Sequence, residues 1–333
     1  MNQYKYGKFT YQLDENNNYK VTSPIPEPET VYKYYSNSKF SKEAITEQYL
    51  FCSHPYHLND SMDTSNLLWD LTNITKKIYN AFFKKTGLDK IIEISFEKDK
   101  KENFNLLRIH LFNFVTKGAG IISLTTEPLH TLMWSHYATE KGFMVELDYK
   151  EIKNGLGKYN KSLKNYAFLP IQYVEELESI DCFQEGFNSP DIPFLYSIGI
   201  KRKDWNYENE WRLIPFENNY GIPHSLILPQ NDLKGDSERK LHYPKNAIKC
   251  IVLGKHFFNG KNIEQVIDNH IFKLKEDFDF INYLFENFND RIFLCGEYEK
   301  EKKFARSAEQ IEFEKIDSTT FKITREKDGF YQK

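Results

Sequence analysis

Residues Lys201-Arg-Lys-Asp-Trp-Asn-Tyr-Glu-Asn-Glu-Trp-Arg212 alternate aromatic and charged side chains in an order that constrains both the fold and the function. In a strand, successive side chains point to opposite faces of the sheet. One face would then carry Trp205, Tyr207, Trp211 and Leu213, and the other Glu208, Glu210 and Arg212. In a helix, Tyr207 would stack on Trp211 and Glu208 would reach Arg212. Both structures predict an acid-rich polar surface backed by aromatic rings, which suits a functional site or a structural ion pair.

Whether this surface is buried distinguishes a functional site from a structural ion pair. Two carboxylates beside one guanidinium leave an excess of negative charge. If the surface is buried, we expect one carboxylate to have a raised pKa, and such groups concentrate at functional sites. An exposed surface would favour a structural ion pair.

Length, composition and net charge limit the classes of protein to which this chain can belong. The length of 333 residues suits one large domain or two modest ones, and 40% hydrophobic with 28% charged residues is typical of a soluble globular protein. The net charge of −3 gives no basic field that would indicate nucleic acid or an anionic membrane as a partner. We expect the basic cluster Lys201 to Lys203 to be a solvated face.

The cysteines and the apolar runs predict the compartment. Cys52, Cys182, Cys250 and Cys295 show no C-x-x-C spacing, which is typical of buried thiols in a reducing cytosol. The chain begins without an apolar signal core and has no run long enough to span a bilayer. We therefore expect a cytoplasmic protein without a membrane partner.

The order of periodic segments predicts an α+β fold with a central mixed or antiparallel β-sheet core and inserted helices. We expect an N-terminal hairpin and linker over 1–30, a core α+β domain over 31–256, and a C-terminal helical segment with a β-hairpin, packed on the core, over 257–333. Within these ranges, Asn66 to Phe114 and Lys261 to Phe285 read as mostly helical. Residues 309–325 read as a hairpin.

Polar side chains outside residues 201–212 add candidates for a site. A predicted helix over Pro128 to Ala138 carries Ser135, His136 and Tyr137, although an aromatic core helix with a hydrogen-bonded histidine explains it as well. Ser123 lies at the end of a short buried strand, where its hydroxyl could hold a ligand amide or ribose, or cap a turn. His54 and His57 have H-x-x-H spacing, but a turn explains this loop better and no metal is expected.

Standard catalytic signatures are missing from the sequence. It has no P-loop, G-x-G-x-x-G, G-x-S-x-G, H-E-x-x-H or paired C-x-x-C motif. This removes motif-defined kinases, P-loop NTPases, zincins and Rossmann dehydrogenases from the candidate classes.

An ordered set of short segments between residues 31 and 256 resembles the bacterial domain-of-unknown-function 2971 family. The segments are Val31-Tyr-Lys-Tyr-Tyr-Ser36, Leu50-Phe-Cys-Ser-His-Pro55, Leu58-Asn-Asp60, Ile122-Ser-Leu-Thr125, Met133-Trp-Ser-His-Tyr-Ala138, Lys141-Gly-Phe-Met-Val-Glu-Leu-Asp148, Lys203 to Arg212 and Ile251-Val-Leu-Gly254. Each segment is short, but the ordered set is specific. The family name implies no activity.

The same block order distantly resembles ADP-ribosyltransferase-like folds, with Tyr34 on a first strand, Ser123 and Tyr137 following, and Glu208-Asn-Glu210 on a later strand. This resemblance implies NAD as a possible substrate. Glu210 would stabilise the oxocarbenium-like ribose left by nicotinamide, and Glu208 would deprotonate the acceptor. The implied catalytic residues are Glu210, Glu208 and Tyr137, and the implied NAD-binding residues are Tyr34, Ser123, Ser135, His136, Trp205 and Arg212.

Three functions remain open at this point. The first is an NAD-dependent ADP-ribosyltransferase or NAD-cleaving effector of a bacterial defence or toxin system, with an antitoxin or defence protein as a possible partner. The second is a non-enzymatic nucleotide- or ligand-sensing accessory protein in anti-phage defence. A metal-dependent nuclease ranks last, because it would need His54, His57 and Asp60 near Glu208 and a basic surface.

Overall fold

One large sheet organises the chain, and it crosses the boundary predicted between residues 256 and 257. The computed structural model describes residues 3–15, 19–184, 190–216, 220–221, 239–259, 263–268, 270–300 and 303–331. In these residues 11 strands form the sheet in the order β16-β17-β20-β19-β18-β15-β8-β4-β7-β13-β9. The strands, in chain order, are β1 (Gln3–Tyr6), β2 (Phe9–Leu13), β3 (Tyr19–Thr22), β4 (Thr30–Tyr35), β5 (Tyr49–Phe51), β6 (Trp69–Asp70), β7 (Ile122–Thr125), β8 (Phe143–Asp148), β9 (Asn165–Pro170), β10 (Gln172–Val174), β11 (Ile180–Asp181), β12 (Ile200–Arg202), β13 (Glu210–Phe216), β14 (Lys240–His242), β15 (Ile248–Leu253), β16 (Ile263–Asp268), β17 (Ile271–Leu274), β18 (Ile292–Lys300), β19 (Lys303–Lys315) and β20 (Thr320–Phe330).

Helices are inserted between these strands. They are α1 (Lys39–Thr46), α2 (Lys76–Thr86), α3 (Phe96–Lys101), α4 (Asn105–Thr116), α5 (Thr131–Met133), α6 (Tyr149–Tyr159), α7 (Asp191–Gly199) and α8 (Phe278–Phe288). β15 pairs with β18 in parallel, while the neighbouring pairs β15 with β8 and β18 with β19 are antiparallel. The predicted α+β class with a mixed sheet is therefore confirmed. None of the helices in the described ranges is long and apolar enough to cross a membrane.

Alternation along β8 shows how the sheet separates two apolar layers. Phe143, Val145 and Leu147 pack into the layer beneath α1, α6 and α8. Met144 points to the opposite face, where it joins the cluster around Trp134. This period of two is what the sequence predicted for the strand. The four cysteines are also buried free thiols, as predicted.

A gap opens in the sheet between β4 and β7. β4 pairs with β8 along its whole length, from Thr30 to Tyr35, but it pairs with β7 only at Tyr32 and Thr125. The two strands therefore diverge on one side of this single pair. β7 keeps its other edge in register with β13. The site described below occupies this gap.

The predicted helical stretch Asn66 to Phe114 contains α2, α3 and α4, which turns separate, whereas the prediction for Lys261 to Phe285 is wrong over residues 263–274. Gly87, with φ +73°, ends α2 in the left-handed conformation, and Asn103 and Phe104, with φ 53° and 54°, separate α3 from α4. In the second stretch, Ile263–Asp268 and Ile271–Leu274 are the strands β16 and β17, and Phe272 and Leu274 are buried at a spacing of two; residues 261, 262 and 269 lie outside the described residues. Asp277, with φ 65°, then turns the chain into α8.

The described residues near both ends of the chain are mainly in strands. β2 and β3 pair antiparallel as the two strands of the predicted N-terminal hairpin, and β1 adds a third strand to their sheet. The predicted turn overlaps residues 16–18, which lie outside the described residues. β19 and β20 form the predicted C-terminal hairpin. This hairpin joins the large sheet through β18, which pairs with β15 of the predicted core region. The division into domains stays a prediction.

Replacing Gly142 with alanine is expected to lower the free energy of unfolding by about 1–3 kcal/mol, the usual range for an overpacked interior. A Cβ at Gly142 would overlap the carbonyl oxygen of Tyr35 and lie 3.0 Å from that of Ala138. Gly157→Ala is the matched control, because a Cβ there meets nothing within 4 Å and alanine favours its helix. Urea denaturation of both variants measures the difference. Equal stability of the two would contradict the close approach of β4 and β8 at Gly142.

Candidate functional site

A cavity of about 230 Å³ lies in the gap between β4 and β7. Its lining comes from β4 and β7, from the loop that follows β5, from the segment that begins with α5, and from residues 201–210. The lining residues are Tyr32, Lys33, Tyr34, His57, Leu58, Asn59, Asp63, Ser123, Leu124, Thr125, Met133, Tyr137, Lys201, Glu208 and Glu210. The cavity therefore gathers Tyr34, Ser123, Tyr137, Glu208 and Glu210 from the residues predicted for the site.

Residues 201–212 form neither a single strand nor a single helix. Lys203–Glu208 forms a tight 3-10 helix, Asn209 adopts the left-handed conformation with φ 40°, and β13 begins at Glu210. The predicted alternation is therefore wrong for residues 203–208. It holds in β13, where Trp211 stacks on Phe168 while Glu210 and Arg212 share the opposite face. The reversal at Asn209 brings Glu208 onto the face of Glu210.

A buried lysine joins the two carboxylates. Lys201 Nζ lies 2.7 Å from Glu208 Oε2, 3.3 Å from Glu210 Oε2 and 3.5 Å from Asp63 Oδ2. Only 3% of Lys201 is exposed. The expectation of a solvated face is therefore wrong for this residue, because the fold surrounds it with three carboxylates. Lys203, two residues later, is exposed as expected.

Arg212 forms the structural ion pair that the sequence left open. Its Nε donates to Glu210 Oε1 at 2.8 Å, and its Nη2 donates to Glu210 Oε2 at 3.1 Å and to Asp63 Oδ2 at 2.5 Å. Its Nη1 donates to the backbone oxygen of Ile198 and to Thr64 Oγ1. Arg212 is completely buried and lies behind Glu210, outside the cavity lining. It holds Glu210 in place.

The two glutamates have opposite pKa shifts within one cluster. Burial, and then the negative charge of Glu210, raise the pKa of Glu208 above its usual value. Burial also acts to raise the pKa of Glu210, but Arg212 and Lys201 outweigh it and lower that pKa to about 2. Glu208 and Glu210 are only 3% and 4% exposed. A raised carboxylate pKa is what the sequence predicted for a buried acid-rich surface.

Hydrogen bonds fix Glu208 from two further sides. The Tyr137 hydroxyl donates to Glu208 Oε1 and accepts a hydrogen bond from Asn59 Nδ2 at 3.2 Å. Thr125 Oγ1 donates to the backbone oxygen of Glu208. Burial, followed by the negative charge of Glu208, raises the pKa of Tyr137, so its hydroxyl stays protonated and acts as a donor.

The π-helical turn Trp134–Ala138 places Tyr137 in the cavity lining and leaves its neighbours Ser135 and His136 outside the lining. Trp134 is buried, with its ring 5.3 Å from that of Tyr34. Ser135 and His136 are exposed and do not line the cavity, although both were predicted to bind NAD. His136 Nδ1 instead lies 3.0 Å from the Tyr207 hydroxyl.

Trp205 was also predicted to bind NAD, and the structure places it outside the cavity lining. The Nζ of Lys201 lies 4.7 Å from the centre of its ring, which is a cation–π contact. Tyr34 does line the cavity, and its hydroxyl donates to the backbone oxygens of Glu127 and Pro128 at 2.8 and 2.6 Å. Ser123 also lines it, and its side chain hydrogen-bonds Glu210.

Sequence reasoning missed Lys33. It lies on β4 between Val31 and Tyr35, two residues of the apolar layer, and this placement of a lysine on an apolar face was the available signal. Its Nζ crosses the gap and donates to the backbone oxygen of Ser123 at 2.8 Å. Burial lowers the pKa of Lys33 to about 8, against the opposing effect of Glu210.

The histidine loop lies near the cavity but has a different arrangement from a metal site. His57 lines the cavity, while His54 is buried and its Nδ1 accepts a hydrogen bond from Tyr56 N at 3.2 Å. Burial lowers the pKa of His54 to about 3. Across the residues that the structure describes, no three His, Cys, Asp or Glu side chains are placed to hold a metal ion.

The fold and the cavity define an α+β protein in which Lys201 and Arg212 hold a buried carboxylate pair at the gap between β4 and β7. Residues 133–213 match the model of the family described as Protein of unknown function (DUF2971). This match confirms the predicted resemblance to that family, and it spans Tyr137, Lys201, Glu208, Glu210 and Arg212. No curated protein and no solved structure matched the chain. The likeness to ADP-ribosyltransferase-like folds stays a prediction.

Proposed function

We propose that the cavity is the active site of an NAD-cleaving enzyme, an ADP-ribosyltransferase or NAD glycohydrolase that acts as an effector in a bacterial defence or toxin system. The observation that supports this most is the opposite pKa shift of two carboxylates on one cavity wall. Environments that push two titratable groups apart in pKa assign them different roles in acid–base chemistry. Here Glu210 is the permanent anion and Glu208 is the proton acceptor.

In the proposed reaction the bond between nicotinamide and ribose breaks, and nicotinamide leaves with the bonding electron pair. Positive charge moves from the pyridinium ring to the ribose, which becomes oxocarbenium-like. A fixed carboxylate stabilises such developing charge without reorganising during the reaction. Glu210 is suited to this role because Arg212 and Lys201 keep it ionised and immobile.

The nucleophile, a water molecule or an acceptor hydroxyl, then attacks the ribose carbon and loses its proton to Glu208. A raised pKa brings Glu208 closer to neutral pH, where a general base works best. The hydroxyl of Tyr137 and the Nζ of Lys201 orient its two oxygens separately. The proton therefore has a defined acceptor next to the reacting carbon.

The size of the cavity favours one end of a dinucleotide. Its volume of about 230 Å³ is below the ~300–1,000 Å³ typical of sites that enclose a whole drug-sized ligand. The nicotinamide and ribose would enter, and the rest of the molecule would lie outside. Tyr32 and Tyr34 supply aromatic surface for a flat ring, and β7 has a strand edge that β4 does not pair with from Ile122 to Leu124.

Glu208→Gln is expected to reduce nicotinamide release by roughly 10²–10⁴-fold, the usual contribution of a general base. In the wild-type protein, the rate should also fall as the pH drops through the raised pKa of Glu208, because the protonated carboxyl accepts no proton. The measurement is the pH profile of nicotinamide release. Glu175→Gln is the control, since Glu175 is an exposed partner of Lys203. A variant with wild-type turnover would show that Glu208 is not the base.

A ligand-sensing accessory protein is the second candidate, and one observation favours it. Both carboxylate oxygens of Glu210 already accept hydrogen bonds from Arg212, and one also accepts from Lys201. A cluster satisfied in this way can serve as the rigid floor of a binding site. This function predicts that NAD or another nucleotide raises the Tm without forming a product.

A further inference from the structure

Lys33 differs from the other lysine of the cavity in its surroundings. Lys33 is half-buried and lines the cavity from β4, with its Nζ bonded to the backbone oxygen of Ser123 at 2.8 Å. Within the described residues it forms no ion pair. Lys201 lies within 3.5 Å of three carboxylates. One cavity therefore holds a fully paired ammonium and a second amine that is held only by a neutral carbonyl.

This difference determines which amine can react. Burial lowers the pKa of Lys33 to about 8, whereas for Lys201 burial acts in the same direction but the neighbouring carboxylates outweigh it and raise the pKa. Relative to a lysine at 10.5, a pKa of about 8 increases the neutral fraction at pH 7 by roughly 300-fold. Only the neutral amine is a nucleophile.

We propose that Lys33 is a nucleophilic amine that binds small aldehydes in this cavity as imines. The proposal goes beyond NAD cleavage and stands independently of it, because it needs only the amine, the cavity and a group that carries protons. Glu208 lines the same cavity as Lys33 and is assigned that role.

The reaction balances without an oxidant or reductant. The nitrogen of neutral Lys33 attacks the carbonyl carbon, and a proton passes from nitrogen to oxygen to give a carbinolamine. The hydroxyl then leaves with its bonding electron pair, and the Glu208 carboxylate passes the remaining N–H proton to it. One water molecule departs, Glu208 is ionised again, and a neutral imine remains. The volume of about 230 Å³ restricts the aldehyde to a small molecule.

The test is reductive trapping on the full-length wild-type protein. Acetaldehyde at limiting concentration with sodium cyanoborohydride at pH 7 converts each imine to a stable N-ethyl lysine, which peptide mapping locates. We expect initial labelling of Lys33 at least 10-fold faster than that of Lys203, the exposed control, while Lys201, the buried control, stays unlabelled. Lys33→Arg should remove the fast site and leave labelling of Lys203 unchanged.

Labelling of Lys33 at or below the rate of Lys203 overturns the proposal, whether the cause is poor access or a fully protonated amine. Labelling of Lys201 at the rate of Lys33 overturns it too, because the two environments would then be equivalent. The outcome is separate from that for NAD cleavage, since nicotinamide release is assayed on unlabelled protein without acetaldehyde. Fast labelling of Lys33 without NAD turnover would support this inference and reject only the proposed function.

Discussion

Arg212→Met is expected to lower the free energy of unfolding by about 3–5 kcal/mol, the usual cost of removing one partner from a buried ion pair. Methionine fills much of the volume but supplies no charge. Glu210 would keep its contact with Lys201 but lose both hydrogen bonds from Arg212, and Asp63 would lose its 2.5 Å hydrogen bond. The backbone oxygen of Ile198 would also lose a donor. Urea denaturation at pH 7 measures the effect.

Arg202→Met is the matched control for this experiment. Arg202 Nε lies 2.9 Å from Asp204 Oδ2, but the two side chains are 42% and 71% exposed. A pair in that position typically contributes about 0–1 kcal/mol. Adding Asp63→Asn to Arg212→Met should recover part of the loss, because it removes an uncompensated negative charge. An Arg212→Met effect no larger than that of Arg202→Met would contradict the buried cluster.

Glu210→Gln is expected to reduce NAD turnover by roughly 10²–10³-fold, the range for losing one preorganised electrostatic contact to a transition state. The amide keeps the shape of the side chain and can still accept from Arg212. It removes the negative charge that the oxocarbenium-like ribose requires. Turnover is measured as nicotinamide released at saturating NAD, so that the comparison reports the chemical step.

Stability must be followed in parallel, because Glu210 also balances Arg212 and Lys201. The assay is therefore run below the unfolding transition of the variant, with the folded fraction measured by circular dichroism. Glu175→Gln, on the exposed partner of Lys203, should retain wild-type turnover. Wild-type turnover in folded Glu210→Gln would exclude Glu210 from the chemistry.

Local patterns predicted those parts of the fold that local rules govern. Alternation identified β8, the Glu210 to Leu213 part of β13 and the C-terminal hairpin, because a buried face forces a period of two. The helical prediction was wrong where β16 and β17 lie, and the stretch from Asn66 to Phe114 is divided by turns such as the one at Phe104, which has a positive φ. Such turns depend on tertiary contacts that periodicity does not contain.

The candidate site likewise has one part that the local sequence predicted and another that only the fold brings together. Glu208, Glu210 and Arg212 are close in sequence, so their spacing alone indicated a charged cluster. Asp63 reaches Arg212 across 149 residues of sequence, and only the fold joins them. Lys201 resembled a surface residue because basic residues follow it, yet its partners include Asp63 from that distant loop. Long-range ion pairs of this kind leave no local signal.

The most direct test of the central claim is to incubate the wild-type protein and Glu210→Gln with NAD and to quantify nicotinamide and ADP-ribose, free or protein-bound. We expect equal amounts of the two products with the wild-type protein and at least a 100-fold lower rate with the variant. A rise in Tm with NAD and no product from the wild-type protein would contradict NAD cleavage and support the sensing function.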